Sequence, residues 1–84
     1  MPLVYVVIPA QNEEQSIGKV INDIPPDFIE EIIVVDNGST DNTANEVLRC
    51  GATLLQEPIP GYGAACLKGF EYLLMAIILI ILNK

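Results

Sequence analysis

Histidine and tryptophan are absent from this 84-residue chain, and basic residues number only four. Without histidine, no Ser-His-Asp or Cys-His machinery can be assembled, and the Cys/His spacings of structural zinc sites are excluded. The four cations, Lys19, Arg49, Lys68 and Lys84, stand singly along the chain. Counterion release on a nucleic-acid backbone needs clustered cations, so DNA and RNA are excluded as partners. The two cysteines, Cys50 and Cys66, lie outside any CxxC pattern. They are expected to be free, buried thiols in a reducing compartment. The N-terminus has no charged n-region, and the apolar run at residues 3–8 is too short for the h-region of a signal peptide. A second apolar run, at residues 73–82, falls short of the ~20 residues that a bilayer-spanning helix needs. It is expected to be a core element rather than an anchor.

What is present is apolar and acidic. Hydrophobic residues make up 51% of the chain, too many for disorder, and eleven acids set a net charge of −7. The length allows one small domain, which would bury about 60–65% of the surface its unfolded chain exposes. No repeat, low-complexity segment or internal boundary divides it, so residues 1–84 are expected to form a single unit. An acidic chain that handles an anionic ligand needs a metal, backbone N–H groups or a few placed bases.

Leu3, Val4, Tyr5, Val6, Val7 and Ile8 form a β-branched run closed by Pro9, the pattern of a strand buried on both faces. Asn12 is placed to cap the next helix, with Gln15 as its reaching partner and Glu13 and Glu14 in the first turn. Ile17, Val20, Ile21 and Ile24 repeat at helical spacing, and Pro25-Pro26 stops the helix. Ile32 to Val35 read as a second buried strand ending at Asp36, followed by the turn Asn37-Gly38-Ser39-Thr40-Asp41. A second helix is expected after Asp41 or Thr43, with Thr43 and Glu46 as a capping box and Gly51 in the left-handed position that ends it. Residues 52–55 predict a third strand, residues 57–63 a loop, residues 64 to about 75 a third helix, and residues 77–82 a fourth strand. This β-α-β-α-β-α-β order predicts an α/β, Rossmann-like fold with a mainly parallel sheet. Ligands of such sheets sit beyond the carboxyl ends of the strands.

Three segments fall there: Pro9 to Glu14, Asp36 to Asp41 and Gly61 to Ala65. Asp36 is placed to accept from a ribose hydroxyl or a base N–H, or simply to order its own turn as Asx side chains do. Gly61-x-Gly63 ahead of a helix can offer N–H groups to a phosphate, or only make a turn. It is not a dinucleotide fingerprint, because Cys66 stands at the third glycine position. Lys68 can meet a phosphate or remain a solvated surface residue.

The three segments together resemble glycosyltransferase family 2, of the GT-A fold. Val7-Ile8-Pro9-Ala10-Gln11-Asn12-Glu13-Glu14 with Ile17-Gly18 is similar to that family's opening. Val34-Val35-Asp36-Asn37-Gly38-Ser39-Thr40-Asp41-Asn42-Thr43 resembles its second-strand signature. Gly61-Tyr62-Gly63-Ala64-Ala65 with Gly69-Phe70 resembles its third-helix entry, in the form seen in the dolichyl- or polyprenyl-phosphate mannosyl- and glucosyltransferases. The resemblance implies the nucleotide-binding half of a GT-A fold with strand order 3-2-1-4. It implies a UDP- or GDP-hexose donor held by Pro9, Ala10, Gln11, Glu13, Asp36, Gly38 and Gly63. The implied acceptor is a polyprenyl phosphate at the cytoplasmic face of a membrane. Gln11 stands where the family commonly carries a tyrosine, a departure that bears on base stacking there. The family's Mg or Mn is held by an Asp-x-Asp motif after the fourth strand. The chain is expected to stop before that motif, so no catalytic residue is assigned and no transfer by these residues alone is expected. A nucleotide-binding or interaction module without turnover, and an inactive truncated product, are the alternatives. Self-association through the uncharged run at 77–82 is also expected.

Overall fold

The computed structural model describes residues 4–83. Leu3, expected in the first strand, and Lys84, one of the four single cations, lie outside the described residues. The elements run β1 (Val4–Ala10), α1 (Ile17–Asp23), β2 (Ile29–Asp36), α2 (Thr43–Arg49), β3 (Thr53–Gln56) and α3 (Tyr62–Leu82). The three strands form one sheet in the order β1-β2-β3, and both pairs are parallel. This is the α/β arrangement the sequence predicts, with the expected 3-2-1 succession.

β2 is central, and its side chains serve both faces by simple alternation. Val34 joins Ala10, Ile17, Ile21 and Val47 beneath α1 and α2. Ile33 and Val35 point the other way and meet Ala65 of α3. Ile33, Val34 and Val35 are all fully buried, so a three-layer sandwich closes around a single strand. Gly69 allows α3 to settle this low. A Cβ built there would lie 2.5 Å from Val7 Cγ1 and 3.5 Å from Val35 Cγ2. One turn further on, the Tyr72 hydroxyl donates to Glu31 Oε2, which also accepts from Thr53 Oγ1 at 2.6 Å.

The fourth strand is not formed. Residues 77–82 continue α3, which runs for 21 residues. Isoleucine-rich runs of this length read equally as strand or helix segment by periodicity alone. Here no glycine or proline interrupts the chain after Gly69, and Leu, Met and Ala carry the helix onward. Nor is the run a core element: Leu74, Met75, Ile77, Ile78, Leu79, Ile81 and Leu82 are all exposed. By length and composition α3 is long and apolar enough to cross a membrane.

Smaller corrections concern helix starts. α1 begins at Ile17 with Ser16 at its N-cap, not at Asn12, and no acid lies in its first turn. Asn12 instead takes a left-handed backbone, φ 53°. Of the expected α1 stripe, Ile17 and Ile21 are buried, while Val20 is exposed. α2 has Asn42 in its N-cap position without a capping bond from that side chain, and the first helical N–H, that of Thr43, donates to Asp41 Oδ1 at 3.0 Å. The expected Thr43–Glu46 box is replaced by Glu46 accepting from Arg49 at 2.9 and 3.2 Å. Gly51 does end α2 with φ 79°. Pro9 lies inside β1 rather than closing it, which an edge strand tolerates because it has a side with no ladder partner. Both cysteines are free, and each is half-buried rather than buried.

Candidate functional site

The strands end level: Ala10 of β1 is registered with Asp36 of β2, and Asp36 with Gln56 of β3. Everything that follows these three residues is therefore gathered at one edge of the sheet. The loop after β1 is stitched to the turn after β2 by side chains. Asn12 N–H donates to Ser39 Oγ at 2.8 Å, and Thr40 N–H donates back to Asn12 Oδ1 at 2.8 Å. Glu13 N–H donates to Thr43 Oγ1 at 2.8 Å and Glu14 N–H to Asp41 Oδ2 at 3.3 Å. Thr43 is fully buried, and its hydroxyl donates to Asp41 Oδ1. That bond is the main reason the Asp41 carboxyl is held below the usual carboxylate range; N–H donation from Thr43 and Glu14 adds to it.

Asn37 ties in the third segment. Its backbone N–H donates to Ala10 O at 2.8 Å. Its side-chain amide donates to Glu57 O at 2.9 Å and Ile59 O at 2.8 Å, and its Oδ1 accepts from Gly61 N–H at 2.9 Å. Only 8% of Asn37 is exposed, so this amide acts as an internal clamp on the β3–α3 loop. Asp36 is 3% exposed. Its Oδ1 accepts from Ser39 N–H at 3.1 Å, the turn-ordering role anticipated as one of its two readings.

The result is an open hollow of about 320 Å³, walled by Pro9, Ala10, Gln11 and Glu13 on one side and by Asn37, Gly61, Tyr62 and Ala65 on the other. Four of the seven residues expected to hold a nucleotide sugar thus share one hollow. Asp36 ends β2 next to Asn37 and is not among the lining residues. Gly38, with φ 80°, shapes the adjoining turn, and Gly63 follows Tyr62 in the first turn of α3. Asn37 and Tyr62 are given no role of their own by the sequence, and Thr43 is expected only as a helix cap. Asn37 reads there as a turn residue because the groups its side-chain amide grips lie 20 or more residues away, and Tyr62 only as the residue between two glycines. A larger hollow of about 460 Å³ opens at the far edge of the sheet, among Ile21, Ile24, Ile29 and Ala52. It is remote from the strand carboxyl ends.

A divalent ion is not matched by this geometry. Among the described residues no group of three or more His, Cys, Asp or Glu side chains could hold one. The nearby carboxylates are already engaged: Asp36 with Ser39, Asp41 with Thr43, Glu13 with the Ser16 hydroxyl at 2.6 Å, and Glu14 with Asn42 N–H at 3.3 Å.

Comparison with known proteins settles the lineage. The sequence model of Glycosyl transferase family 2 matches residues 5–81. The chain belongs to that family. An uncharacterized glycosyltransferase of Mycobacterium tuberculosis (strain ATCC 25618 / H37Rv) is 47% identical over 66 residues, covering 79% of this chain and 29% of that protein. A UDP-N-acetylglucosamine–dolichyl-phosphate N-acetylglucosaminyltransferase of Methanococcus voltae is 49% identical over 41 residues, 49% of this chain and 16% of its own. The crystal structure of glucosyl-3-phosphoglycerate synthase from M. tuberculosis, in complex with Mn2+, UDP-glucose and glycerol 3-phosphate, superposes with a TM-score of 0.69. It is 38% identical and is matched over 77% of this chain and 27% of that one. The family 2 chain described here thus spans less than a third of each of these relatives.

Proposed function

We propose that this chain forms the donor-holding part of a hexosyltransferase, seating a UDP- or GDP-linked sugar at the carboxyl edge of its sheet. The observation that carries the reading is the convergence of the β1 end, the Asp36–Asp41 turn and the start of α3 on one hollow. The family membership and the UDP-glucose held by the glucosyl-3-phosphoglycerate synthase support it. Pro9, Ala10, Gln11 and Glu13 form one wall of the hollow, and Asp36, Gly38 and Gly63, in the segments beside it, are assigned to the same site. The net charge of −7 opposes an anionic ligand. Affinity for a nucleotide is therefore expected to be modest, and to improve with manganese in solution, which screens and pairs the diphosphate.

The acceptor of the parent activity is proposed to carry a phosphate. The names of the two characterised relatives point to a dolichyl phosphate in one and a phosphoglycerate in the other. The exposed apolar half of α3 favours the lipid-linked alternative, acting at the cytoplasmic face of a membrane. The described carboxylates beside the hollow, Glu13, Glu14, Asp36 and Asp41, each already accept a hydrogen bond, so the 84-residue polypeptide is expected to bind donor without transferring sugar.

The test is calorimetric titration with UDP and GDP, with and without manganese, on the chain and on Asp36→Asn. Asparagine keeps an oxygen for Ser39 N–H and removes the charge. A base or ribose donor facing that carboxylate is expected to lose roughly tenfold in affinity. Unchanged affinity in Asp36→Asn removes Asp36 from the site, and no binding by the chain removes the donor-holding reading.

A further inference from the structure

We propose that Tyr62 supplies the stacking face for the nucleobase of the donor; this deepens the donor-holding reading and rests on it. Among the described residues that wall the hollow, Tyr62 carries the only aromatic ring. Its neighbours there are backbone, small apolar groups, two amides and a carboxylate. A nucleobase is a flat, largely apolar disc whose faces want a flat partner, and such stacking does not depend on which base is present. Across the hollow, Pro9 and Ala10 offer the opposite apolar wall.

The ring is bare and yet fixed at its root. Tyr62 is 75% exposed, so no side chain of the described protein occupies its face. It is the first residue of α3. Gly61 before it has φ 121°, a backbone that a residue with a Cβ rarely adopts. Gly61 N–H is held by Asn37 Oδ1 at 2.9 Å, and Gly61 O accepts from Ala65 N–H at 3.2 Å. Asn37 also grips the loop at Glu57 O and Ile59 O. One turn along the helix, the neighbouring Cys66 raises the Tyr62 pKa above the usual phenol value. The backbone that carries the ring is thus fixed while the ring itself stays exposed at the hollow. The ordering cost of a stack is then partly met before any ligand arrives.

The experiment compares the chain with Tyr62→Ala, Tyr62→Leu and Tyr62→Phe, each titrated with UDP and with UDP-glucose, while proton NMR follows the uracil H5 and H6 signals. The ring is exposed, so the far-ultraviolet circular dichroism spectra are expected to superpose. Loss of the ring is expected to weaken UDP roughly 5- to 150-fold and UDP-glucose by the same factor. Tyr62→Phe is expected to stay within about twofold of the parent, because the stacking face is kept. The uracil signals should move upfield on binding to the parent and to Tyr62→Phe, and not with Tyr62→Ala or Tyr62→Leu. Equal UDP affinity in Tyr62→Ala and the parent overturns the proposal while leaving the donor-holding reading standing. So does a loss confined to UDP-glucose, which would turn the ring toward the hexose. A Tyr62→Phe as weak as Tyr62→Ala would put the binding in the hydroxyl and also overturn it. Absence of any nucleotide binding by the parent overturns both.

Discussion

The two halves of α3 share one helix and almost nothing else. Through residues 62–73 the helix is fitted to the sheet: Ala65 and Gly69 are buried, and Tyr72 and Leu73 pack against the Ile33–Val35 layer. Through residues 74–82 it leaves the sheet behind, and seven large apolar side chains stand exposed. Consecutive helical residues are turned by about 100°, so exposure at 77, 78 and 79 bares most of the circumference, and only Ala76 and Ile80 in this half keep partial cover. The first half is specified by shape, the second only by helix propensity and hydrophobicity. Stability should therefore reside in the first half and solubility in the second.

The sharpest way to break that division is Gly69→Ala. Its methyl group would lie 2.5 Å from Val7 Cγ1, and valine is too short and stiff to move aside. Overpacking at this contact is expected to cost about 3 kcal/mol, lowering Tm by about 12–24 °C in a domain of this size. Adding Val7→Ala should recover part of the loss, a coupling visible in a double-mutant cycle by thermal denaturation. Additive losses would show that the close approach is not what limits the site.

Next in size is Tyr72→Phe, which removes the hydroxyl donated to Glu31 while leaving Thr53 as that carboxylate's partner. The expected cost is about 1 kcal/mol, measured by urea denaturation. The same bond, the largest of several causes, raises the Tyr72 pKa. A raised folded-state value means that this stability is fully present below the ordinary tyrosine pKa of about 10 and is lost as pH rises through the folded value. The parent should therefore weaken above about pH 10 more steeply than Tyr72→Phe does.

The smallest effect on stability belongs to the bare half. Ile78→Lys with Ile81→Lys is expected to change unfolding free energy by no more than about 0.5 kcal/mol, since both side chains are already exposed. Light scattering should nonetheless separate the two proteins. The parent is expected to self-associate through its uncovered apolar surface, and the double variant to remain monodisperse. A monodisperse parent would mean that the bare half is harmless, and a strongly destabilised variant would mean that it carries fold energy after all.

The same division explains what could be read from the chain. β2 was legible because burial on both faces leaves a continuous β-branched run, and Gly51 because a helix end in the left-handed region favours glycine. The strand-end location of Pro9, Glu13 and Asp36 followed from topology alone. The start of α1 was misplaced because the capping pattern at Asn12 is local, whereas its backbone N–H donates to Ser39 and its side-chain Oδ1 accepts from Thr40. The end of α3 was misread because, apart from the half-buried Ile80, residues 77–82 are exposed. With no partner to impose a face, the isoleucines carry no period that tells strand from helix. Asn37 looked like one more turn residue, since the three groups it grips sit 20, 22 and 24 residues further along.

The stitching between the β1–α1 loop and the β2–α2 turn has a consequence for motion. Residues 11–16 have no strand or helix, yet the amides of Asn12, Glu13 and Glu14 are each locked onto a side chain of the neighbouring loop. Neither loop can swing without breaking the other's bonds, including one to the fully buried Thr43. The pair should fluctuate as one body on the timescale of the sheet's own local unfolding rather than on the nanosecond scale of a free loop. An arriving ligand would thus meet a lip that is already set, and its rate of capture would be governed by diffusion into the hollow instead of by waiting for a gate to open.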